Sequence, residues 1–462
     1  MKSTVALSLL SGALALPAAN PAPQTVSFGK RNMLTRPNGE ANVAGILASL
    51  NHTLHKYNLK PLPYYAPVAV LQAELFSVDV EKRQANLPLI DQTQLGTEDV
   101  AYYGSITIGG GDGKAQKFNV IFDTGSADAW VPGPSCTKAR GCTHTTKYDQ
   151  GGRNLGTKTS IQYGSGSTEG ENYVDDLTIA GLTSKSQTLI SVTTAAGFTQ
   201  VDADGLVGMG FSSIAQDNGT TVFENLIAQG TVQADEFSFY LGRVSEKTGR
   251  NSQLTLGGRD STKYKGNFVT VPVSSQTYWQ VALDGVKVGG KKVAGTAGQA
   301  AIDTGTTILL APTAVAKAVF DAIPGSIGLN LAGEHIYLYP CNTAVTNIPK
   351  ITFAGQDLAI NPLDFKLGSL SAADVDNLAL GDRALAAQIR EQMARAGLCI
   401  AGFAGGDLTG IDDLYIVGDT FIKNWYSVFS YSAANGKPAV LFAPNIGQSC
   451  QWIGGYGPTE FI

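Results

Sequence analysis

Short runs in which apolar and polar residues alternate recur along most of the chain. Examples are FSFYLGR from Phe237, NFVTVPV from Asn267 and YSVFSYS from Tyr426, and turn-forming Gly, Asn and Asp residues separate such runs. Alternation with a period of two, in segments rich in Val, Ile, Thr, Tyr and Phe, is typical of half-buried β-strands. Long helical periodicity is scarce, so the pattern predicts an all-β protein with short strands.

One Ala-rich stretch departs from this pattern. Residues 371–397 contain RALAAQIREQMARAG, in which apolar residues recur at helical spacing. We interpret this stretch as a surface insertion that is able to form a helix and has no role in chemistry.

The N-terminus has the features of an export signal. A basic start, Met1-Lys2, precedes an apolar run over residues 5–16 that is too short to span a bilayer, and small residues follow it. We therefore expect a signal peptide at residues 1–19 and a soluble protein without a membrane partner. Secretion from the cell is the expected destination, and an acidic vacuole is the alternative.

A basic leader follows the expected signal peptide. Residues 1–83 hold 8 Lys and Arg against 4 Asp and Glu, and the rest of the chain holds 25 against 34, so the net charges are +4 and −9. Strand-like sequence begins directly after Lys82-Arg83, which we interpret as a processing site that ends a propeptide at residues 20–83. An earlier pair, Lys30-Arg31, is interpreted as an ordinary surface pair. One hypothesis is that the leader docks on the acidic body through charge and loosens as carboxylates become protonated in acid.

Composition narrows the classes of protein further. The chain has 462 residues, 15% of them charged and 43% hydrophobic, and this length favours two or more domains. Five cysteines suit an oxidising compartment: Cys136 with Cys142 is the simplest pair, Cys341 with Cys399 would enclose a longer loop, and Cys450 would remain unpaired. Their spacings match no zinc pattern. We expect no metal, no cofactor and no nucleic-acid partner.

The part of the chain after the leader contains the same two phrases twice. VIFDTGSADAW begins at Val120 and AIDTGTTILL at Ala301, and each is followed by a second phrase, DGLVGMGF from Asp204 or LYIVGDTF from Leu414. A single Asp-Thr-Gly arises readily by chance, but two copies with matched downstream phrases do not. The repeat predicts two related lobes, which we place at residues 84–260 and 261–462.

The residue types of the two Asp-Thr-Gly loops suit acid–base catalysis. In each loop an apolar strand precedes the aspartate, Asp123 or Asp303, a glycine permits a tight turn, and a hydroxyl residue, Ser126 or Thr306, can bond the carboxylate. If the loops face each other, the two close carboxyl groups cannot easily both ionise, and the pair can hold a water. One group then acts as base and the other as acid, without a metal.

These phrases resemble those of the pepsin-like aspartic proteases over nearly all of residues 84–462. The matching phrases are YYGSITIG, FNVIFDTGSADAWVP, IQYGSGS, DGLVGMGF, TLGGRD, AIDTGTTILLAP and LYIVGDTFIKNWYSVFS. The resemblance implies a bilobal, mostly β fold with a cleft between the lobes, and a monomeric endopeptidase that binds extended polypeptides and is inhibited by its own propeptide. A proton shared between two carboxyl groups is a known property of this family rather than a new prediction.

The resemblance also implies a role for individual residues. Asp123 and Asp303 match the catalytic pair, and Tyr163 matches the tyrosine of a mobile hairpin, the flap, that closes over substrate. The remaining assignments support or line the site: Thr124 and Thr304 lock the loops together, Ser126 and Thr306 bond the outer carboxylate oxygens, Gly125, Gly305, Gly164 and Ser165 align substrate, Trp130 supports the flap, and Ile121 and Phe198 line the pocket for the residue before the cut.

Departures from the family pattern affect specificity and maturation. Some fungal members have an acidic residue at the place of Ser165, so its absence favours bulky apolar residues around the cut. Lys56 and Lys60 are candidates for a lysine that inserts into the site from the leader. Asn218, in the sequon Asn-Gly-Thr, is a candidate glycosylation site, and Asn51 in the leader belongs to a second sequon.

Other classes of function fit the sequence less well. A pepsin-fold binding or inhibitor protein without catalysis is the main alternative, but such relatives lose an active-site residue, and all of those residues are present here. A carbohydrate-acting enzyme with paired carboxylates would be expected to carry its Asp or Glu residues on a different scaffold with aromatic platforms, and not on two Asp-Thr-Gly loops. GGGDGK, from Gly109, lacks the spacing of a phosphate-binding loop and is interpreted as a hairpin turn.

Overall fold

The structure is a computed structural model, and the residues it describes exclude most of the leader and several short segments. It describes residues 34, 39–43, 46, 50, 82–94, 98–110, 114–163, 166–196, 202–243, 252–331, 334–379, 382–408 and 413–446. The expected signal peptide, Gly164, Ser165, Phe198 and Cys450 lie outside these residues.

Strands make up about half of the described chain and helices far less, which confirms the all-β prediction. The first half contains β1 (Ala85–Pro88), β2 (Ile90–Gln94), β3 (Glu98–Ile108), β4 (Gln116–Asp123), β5 (Ala129–Pro132), β6 (Arg153–Tyr163), β7 (Gly166–Ile179), β8 (Leu182–Ala196), β9 (Gly205–Gly208), β10 (Glu236–Tyr240) and β11 (Gln253–Leu256). The second half contains β12 (Val269–Ser275), β13 (Gln280–Leu283), β14 (Gly285–Val288), β15 (Lys291–Lys292), β16 (Gly298–Ile302), β17 (Leu309–Ala311), β18 (Ile327–Leu331), β19 (Glu334–Pro340), β20 (Lys350–Phe353), β21 (Gln356–Ala359), β22 (Lys366–Ser369), β23 (Leu398–Ala401), β24 (Phe403–Gly405), β25 (Leu414–Val417), β26 (Trp425–Ala434) and β27 (Lys437–Pro444).

The helices are short, and the longest lies in the Ala-rich stretch. They are α1 (Val222–Ala228), α2 (Thr313–Asp321), α3 (Pro362–Phe365), α4 (Val375–Leu378), α5 (Arg383–Ala396) and α6 (Asp419–Ile422), with 3₁₀ turns at Lys138–Arg140, Ser212–Ile214, Val345–Asn347 and Ala372–Asp374. Asp382 caps α5 by accepting hydrogen bonds from the amides of Ala384 and Leu385 at 2.9 and 3.0 Å. The helix predicted from RALAAQIREQMARAG is therefore present, but it is not wholly a surface element, because Ala386 and Ile389 are buried.

The strands form two large sheets and one small sheet. An eight-stranded sheet in the first half has the order β2-β3-β4-β9-β5-β8-β7-β6. A larger sheet begins with β1-β11-β10-β26-β27-β12, so three strands of the first half are followed by three of the second, and it continues through β13-β16-β25-β17-β24-β19-β23-β22. A four-stranded sheet has the order β15-β14-β20-β21. The mixed part of the large sheet joins the two halves through backbone hydrogen bonds.

The repeated phrases pair with each other in the same way in both halves. Strand β4 runs parallel to β9, with Asp123 opposite Gly208, and β9 pairs antiparallel with β5. In the second half β16 runs parallel to β25, with Ile302 opposite Val417, and β25 pairs antiparallel with β17. Each Asp-Thr-Gly loop is therefore held at the end of a central, buried strand.

A buried ionic cluster also connects the two halves. Arg243, just after β10, donates through Nε to both carboxylate oxygens of Asp364 at 2.9 Å and through a terminal nitrogen to Oδ1 of Asn424 at 2.9 Å. Lys423 lies 3.2 Å from the same carboxylate. Burial alone would raise the pKa of Asp364, but the charges of Arg243 and Lys423 outweigh it and hold this pKa below its usual value.

Two disulfides are present, and they are the two predicted from the sequence. Cys136 and Cys142 have Cα atoms 5.6 Å apart, and Cys341 and Cys399 have Cα atoms 5.1 Å apart, both within the usual range for a disulfide. The second bond joins Cys341, directly after β19, to Cys399 in β23, the strand that follows the Ala-rich insertion. Within the described residues, no helix is long and apolar enough to cross a membrane.

Candidate active site

The two Asp-Thr-Gly loops are joined by reciprocal hydrogen bonds. The Thr124 hydroxyl donates to the carbonyl of Ile302 at 2.7 Å and accepts from the amide of Thr304 at 3.0 Å. The Thr304 hydroxyl donates to the carbonyl of Phe122 at 2.7 Å and accepts from the amide of Thr124 at 3.1 Å. Because both threonines are buried, these bonds fix the relative position of the loops. Loops 180 residues apart in sequence thus form one unit.

Each carboxylate is oriented by its own loop. Oδ1 of Asp123 accepts from the amide of Gly125 at 2.9 Å, and Oδ2 accepts from the Ser126 hydroxyl at 2.6 Å. Oδ1 of Asp303 accepts from the amide of Gly305 at 2.9 Å, and Oδ2 accepts from the Thr306 hydroxyl at 2.5 Å. Each aspartate thus keeps one inner oxygen bonded to a glycine amide and one outer oxygen bonded to a hydroxyl.

Gly305 shows how closely the two carboxylates approach. A Cβ atom at this position would lie 2.3 Å from Oδ1 of Asp123, so only glycine fits. The amide of the same glycine bonds the carboxylate of Asp303. The two carboxyl groups therefore flank one residue instead of pointing into separate lobes, as the two-loop interpretation requires.

Tyr163 lies at the tip of the hairpin formed by β6 and β7. It pairs with Gly166 across the turn, and its hydroxyl accepts a hydrogen bond from the indole nitrogen of Trp130 at 2.8 Å. Burial, followed by the charges of Asp128 and Asp123, raises the pKa of Tyr163 well above its ordinary value. The Tyr163 hydroxyl is therefore protonated and uncharged at acidic and neutral pH.

Ile121 connects the first loop to this hairpin. It is partly exposed and packs against the cluster that contains Trp130, Tyr163 and Leu206, one strand position away from Phe122 in the core. Because side chains alternate across a strand, β4 directs Phe122 into the lobe and Ile121 towards the hairpin. Ile121 and Tyr163 therefore belong to the same apolar surroundings, and Phe198 lies outside the described residues.

A second pair of carboxyl groups lies behind the hairpin, and the sequence analysis missed it. Oδ1 of Asp128 accepts from the amides of Gln216 and Asp217 at 2.8 and 2.9 Å, and the carboxyl group of Asp217 is close enough for its charge to act on that of Asp128. Burial and then the charge of Asp217 raise the pKa of Asp128 well above its usual value, and burial also raises the pKa of Asp217. The signal in the sequence was an acidic residue in SADAW, next to an apolar strand.

The predicted modification sites lie at the surface. Asn218 is exposed in a turn with a φ of 58°, so its side chain is accessible. Lys82 and Arg83 are exposed, but the backbone of Arg83 is paired: its amide donates to the carbonyl of Thr231 at 3.1 Å.

In the parts of the chain that the structure describes, no group of three His, Cys, Asp or Glu side chains is arranged to hold a metal ion.

The site can perform acid–base chemistry on a bound polypeptide. Two carboxyl groups are held rigidly by hydrogen bonds, and an aromatic hairpin tip lies next to an apolar wall. Fixed orientation is what general acid and base groups need, because misplacement reduces proton transfer.

Comparisons with known proteins give the same family as the site. The family model described as eukaryotic aspartyl protease matches residues 101–440. The chain is 34% identical over 363 residues to an aspartic protease of Phaffia rhodozyma, which covers 77% of this chain and 78% of that protein. It is 35% identical over 371 residues to cathepsin E of Mus musculus, covering 78% and 83% of the two chains. It is also 33% identical over 337 residues to a Trichophyton verrucosum protein named "Probable vacuolar protease A", covering 71% and 75%.

Proposed function

The chain belongs to the eukaryotic aspartyl protease family and is an aspartic-type endopeptidase, and from this premise we propose which residues perform the reaction. Asp123 and Asp303 form the catalytic pair. The observation that supports this assignment is the lock between Thr124 and Thr304, which brings both carboxylates to Gly305.

In the proposed mechanism, the two aspartates hold a water and share one proton. The ionised carboxylate takes a proton from the water, whose oxygen attacks the carbonyl carbon of the peptide bond. The protonated carboxyl group gives its proton to the carbonyl oxygen, and a tetrahedral intermediate forms. A proton then passes to the peptide nitrogen and the C–N bond breaks. Because one carboxyl group must be ionised and the other protonated, activity falls on either side of an acidic optimum.

Substrate binding is proposed to depend on the hairpin and the apolar wall. A polypeptide would lie extended under Tyr163, with a bulky apolar side chain against Ile121, and Phe198 would complete this pocket. Gly164 and Ser165 at the tip and Gly125 in the first loop would contact the substrate backbone. Trp130 would hold Tyr163 in place through its indole hydrogen bond.

Maturation and location complete the proposal. Residues 1–19 would direct the chain into the secretory pathway, and residues 20–83 would form an inhibitory propeptide that is cut from the body after Lys82-Arg83. Export from the cell is the favoured destination. A vacuole is the alternative, and the name of the Trichophyton verrucosum relative supports it. Asn218 would be glycosylated on this route.

The catalytic assignment is tested by digestion of acid-denatured haemoglobin at pH 3.5, with pepstatin as inhibitor control. Asp303→Asn should lower kcat about a thousandfold, because it removes one of two groups that must exchange a proton. Asp321→Asn is the matched control, since Asp321 is an exposed aspartate in a surface ion pair. Full activity of Asp303→Asn would contradict the assignment.

Specificity is tested separately with a peptide library. Cleavage should favour bulky apolar residues on both sides of the cut bond. A preference for Lys before the cut would contradict the assigned pocket while leaving the catalytic pair intact.

A further inference from the structure

A segment of the leader is buried in the second half of the chain. The side chains of Leu34, Ala41, Ile46 and Leu50 are between 0 and 4% exposed. Val43, Ile46 and Leu50 lie at helical positions with the spacing i, i+3 and i+7, which places them on one face. This face packs into the apolar cluster formed by strands of the second half.

The backbone of this segment extends a sheet. The amide of Ala41 donates to the carbonyl of Ser369 at 2.7 Å, and the amide of Ser369 donates to the carbonyl of Gly39 at 2.9 Å. Strand β22, which contains Ser369, is the last strand in its sheet, so the segment covers an edge that would otherwise expose unpaired backbone groups.

Gly368 in β22 is adapted to this contact. Its φ is 138°, a conformation that favours glycine, and a Cβ atom there would lie 2.7 Å from the amide nitrogen of Ala41. Any other residue would clash with the backbone of the leader. The body of the protein therefore has a residue whose size and conformation suit this segment.

The Ala-rich insertion contributes to the same cluster. Val375 and Leu378 of α4 and Ala386 and Ile389 of α5 are buried in it, together with the four leader residues. The inner face of the insertion is thus part of an apolar core that the leader completes. Loss of the segment would expose this core at the edge of the sheet, which costs free energy in proportion to the apolar area.

The other described end of the leader is also attached to the body. The amide of Arg83 donates to the carbonyl of Thr231 at 3.1 Å, and its carbonyl accepts from the amide of Gln233 at 3.0 Å. A cut after Arg83 leaves this residue on the leader fragment, so the fragment would keep contacts at both ends.

We infer that the leader segment that contains Leu34, Ala41, Ile46 and Leu50 is a permanent part of the second lobe and stays bound after the chain is cut at Arg83, so that the processed protein consists of two polypeptides. The inference rests on the proposed processing site and not on catalysis. It differs from the charge hypothesis, under which acid loosens the leader. Apolar burial and backbone pairing do not depend on ionised carboxylates, and salt does not screen them.

The test uses the full chain with Asp303→Asn, which prevents self-digestion. The chain is cut with a protease specific for Lys-Arg and applied to a size-exclusion column at pH 7.0 in 1 M NaCl and at pH 3.5. If the Arg83 bond resists cutting, a specific protease sequence is inserted between Leu71 and Gln72. Mass spectrometry then follows the fragment that contains residues 34–50. We expect it to elute with the body in equal amounts under both conditions.

Release of the fragment at pH 7.0 in 1 M NaCl, or at pH 3.5, would overturn the inference in favour of charge-based docking, because salt screens charges and acid protonates carboxylates. Two matched double variants separate the causes. Ile46→Ser with Leu50→Ser should speed dissociation at least tenfold, whereas Lys56→Gln with Lys60→Gln should leave it unchanged. The reverse result would also overturn the inference. If the first variant does not fold, Leu34→Ala replaces it, with a smaller but still measurable increase in the dissociation rate.

Discussion

The two Asp-Thr-Gly loops are alike at the carboxylates and different five residues later. Asp123 and Asp303 have equivalent glycine and hydroxyl partners, and Thr124 and Thr304 have equivalent reciprocal bonds. The residue five positions after the aspartate is Asp128 in the first half and Ile308 in the second. Asp128 is buried against another carboxyl group, whereas Ile308 is buried in the apolar cluster that includes the leader.

This difference shows that one catalytic geometry can rest on two kinds of support. The first loop is backed by a carboxyl pair whose pKa values are raised, chiefly by burial, so its support changes with pH. The second loop is backed by apolar packing, which has no group to titrate. We therefore expect the first half to limit stability as pH rises and the second half to respond mainly to changes in volume.

The largest effect on stability is expected for Thr124 and Thr304, whose reciprocal hydrogen bonds join the two loops. Thr124→Val and Thr304→Val each remove a buried hydroxyl that donates one hydrogen bond and accepts another. Each should lower the free energy of unfolding by about 3 kcal/mol, because a buried amide and a buried carbonyl lose their partner. Denaturant unfolding at pH 4 measures this. Loops that contribute equally should give equal losses, so a large inequality would contradict the symmetry of the lock.

The second effect concerns pH. The pKa values of Asp128 and Asp217 are raised in the folded protein, so their contribution to stability is complete below the ordinary carboxyl pKa of about 4 and is lost as pH rises through the raised values. Asp128→Asn removes one of the two buried charges, and its side-chain oxygen can still accept from the amides of Gln216 and Asp217. It should raise the free energy of unfolding at pH 6.5 by about 2 kcal/mol and flatten the pH dependence. Thermal unfolding at pH 4.0, 5.0 and 6.5 measures the slope, and an unchanged slope would exclude this pair as its source.

The third effect concerns the hairpin. Trp130→Phe removes the indole donor to Tyr163 and should raise KM about fivefold, equivalent to about 1 kcal/mol for one net hydrogen bond. The matched control is Trp425→Phe, which removes an indole bond to the carbonyl of Ala359, away from the hairpin. Steady-state kinetics on an apolar peptide measure KM for both variants. Equal KM changes in both variants would mean that the bond to Tyr163 has no special role.

The smallest effect concerns the apolar support of the second loop. Ile308→Val should lower the free energy of unfolding by roughly 0.5–1 kcal/mol through the loss of one buried methyl group. The loss should be the same at pH 4.0 and 6.5, in contrast to Asp128→Asn. A loss that grows with pH would show that the two supports are not different in kind.

Sequence reasoning succeeds here where short patterns determine structure. Alternation predicts strands, the repeated loops predict the paired carboxylates, and RALAAQIREQMARAG predicts α5. These features depend on neighbouring residues or on a repeat that is visible without coordinates. The contact between Asp128 and Asp217 could not be predicted in this way. The two residues are 89 positions apart, and no local pattern specifies that they meet.

The leader shows a different failure. Its net charge suggested electrostatic docking, while Val43, Ile46 and Leu50 already had helical spacing in the sequence. Because the predicted processing site sets the leader apart from the body, this helical spacing did not lead to a prediction that the leader packs in the second lobe. The members of the shared cluster that lie in the second half, among them Ile389, are more than 250 positions away, so only the folded chain reveals this cluster.

The buried contact between Arg243 and Asp364 bears on how a polypeptide enters the cleft. Swinging the two halves apart as rigid bodies would strand a guanidinium away from water and from its carboxylate, a cost of about 3–5 kcal/mol. Moving Tyr163 away from Trp130 disturbs an indole–phenol hydrogen bond between uncharged groups, worth about 1 kcal/mol. Admission of substrate is therefore easier as a small local hinge motion than as breathing of the whole molecule.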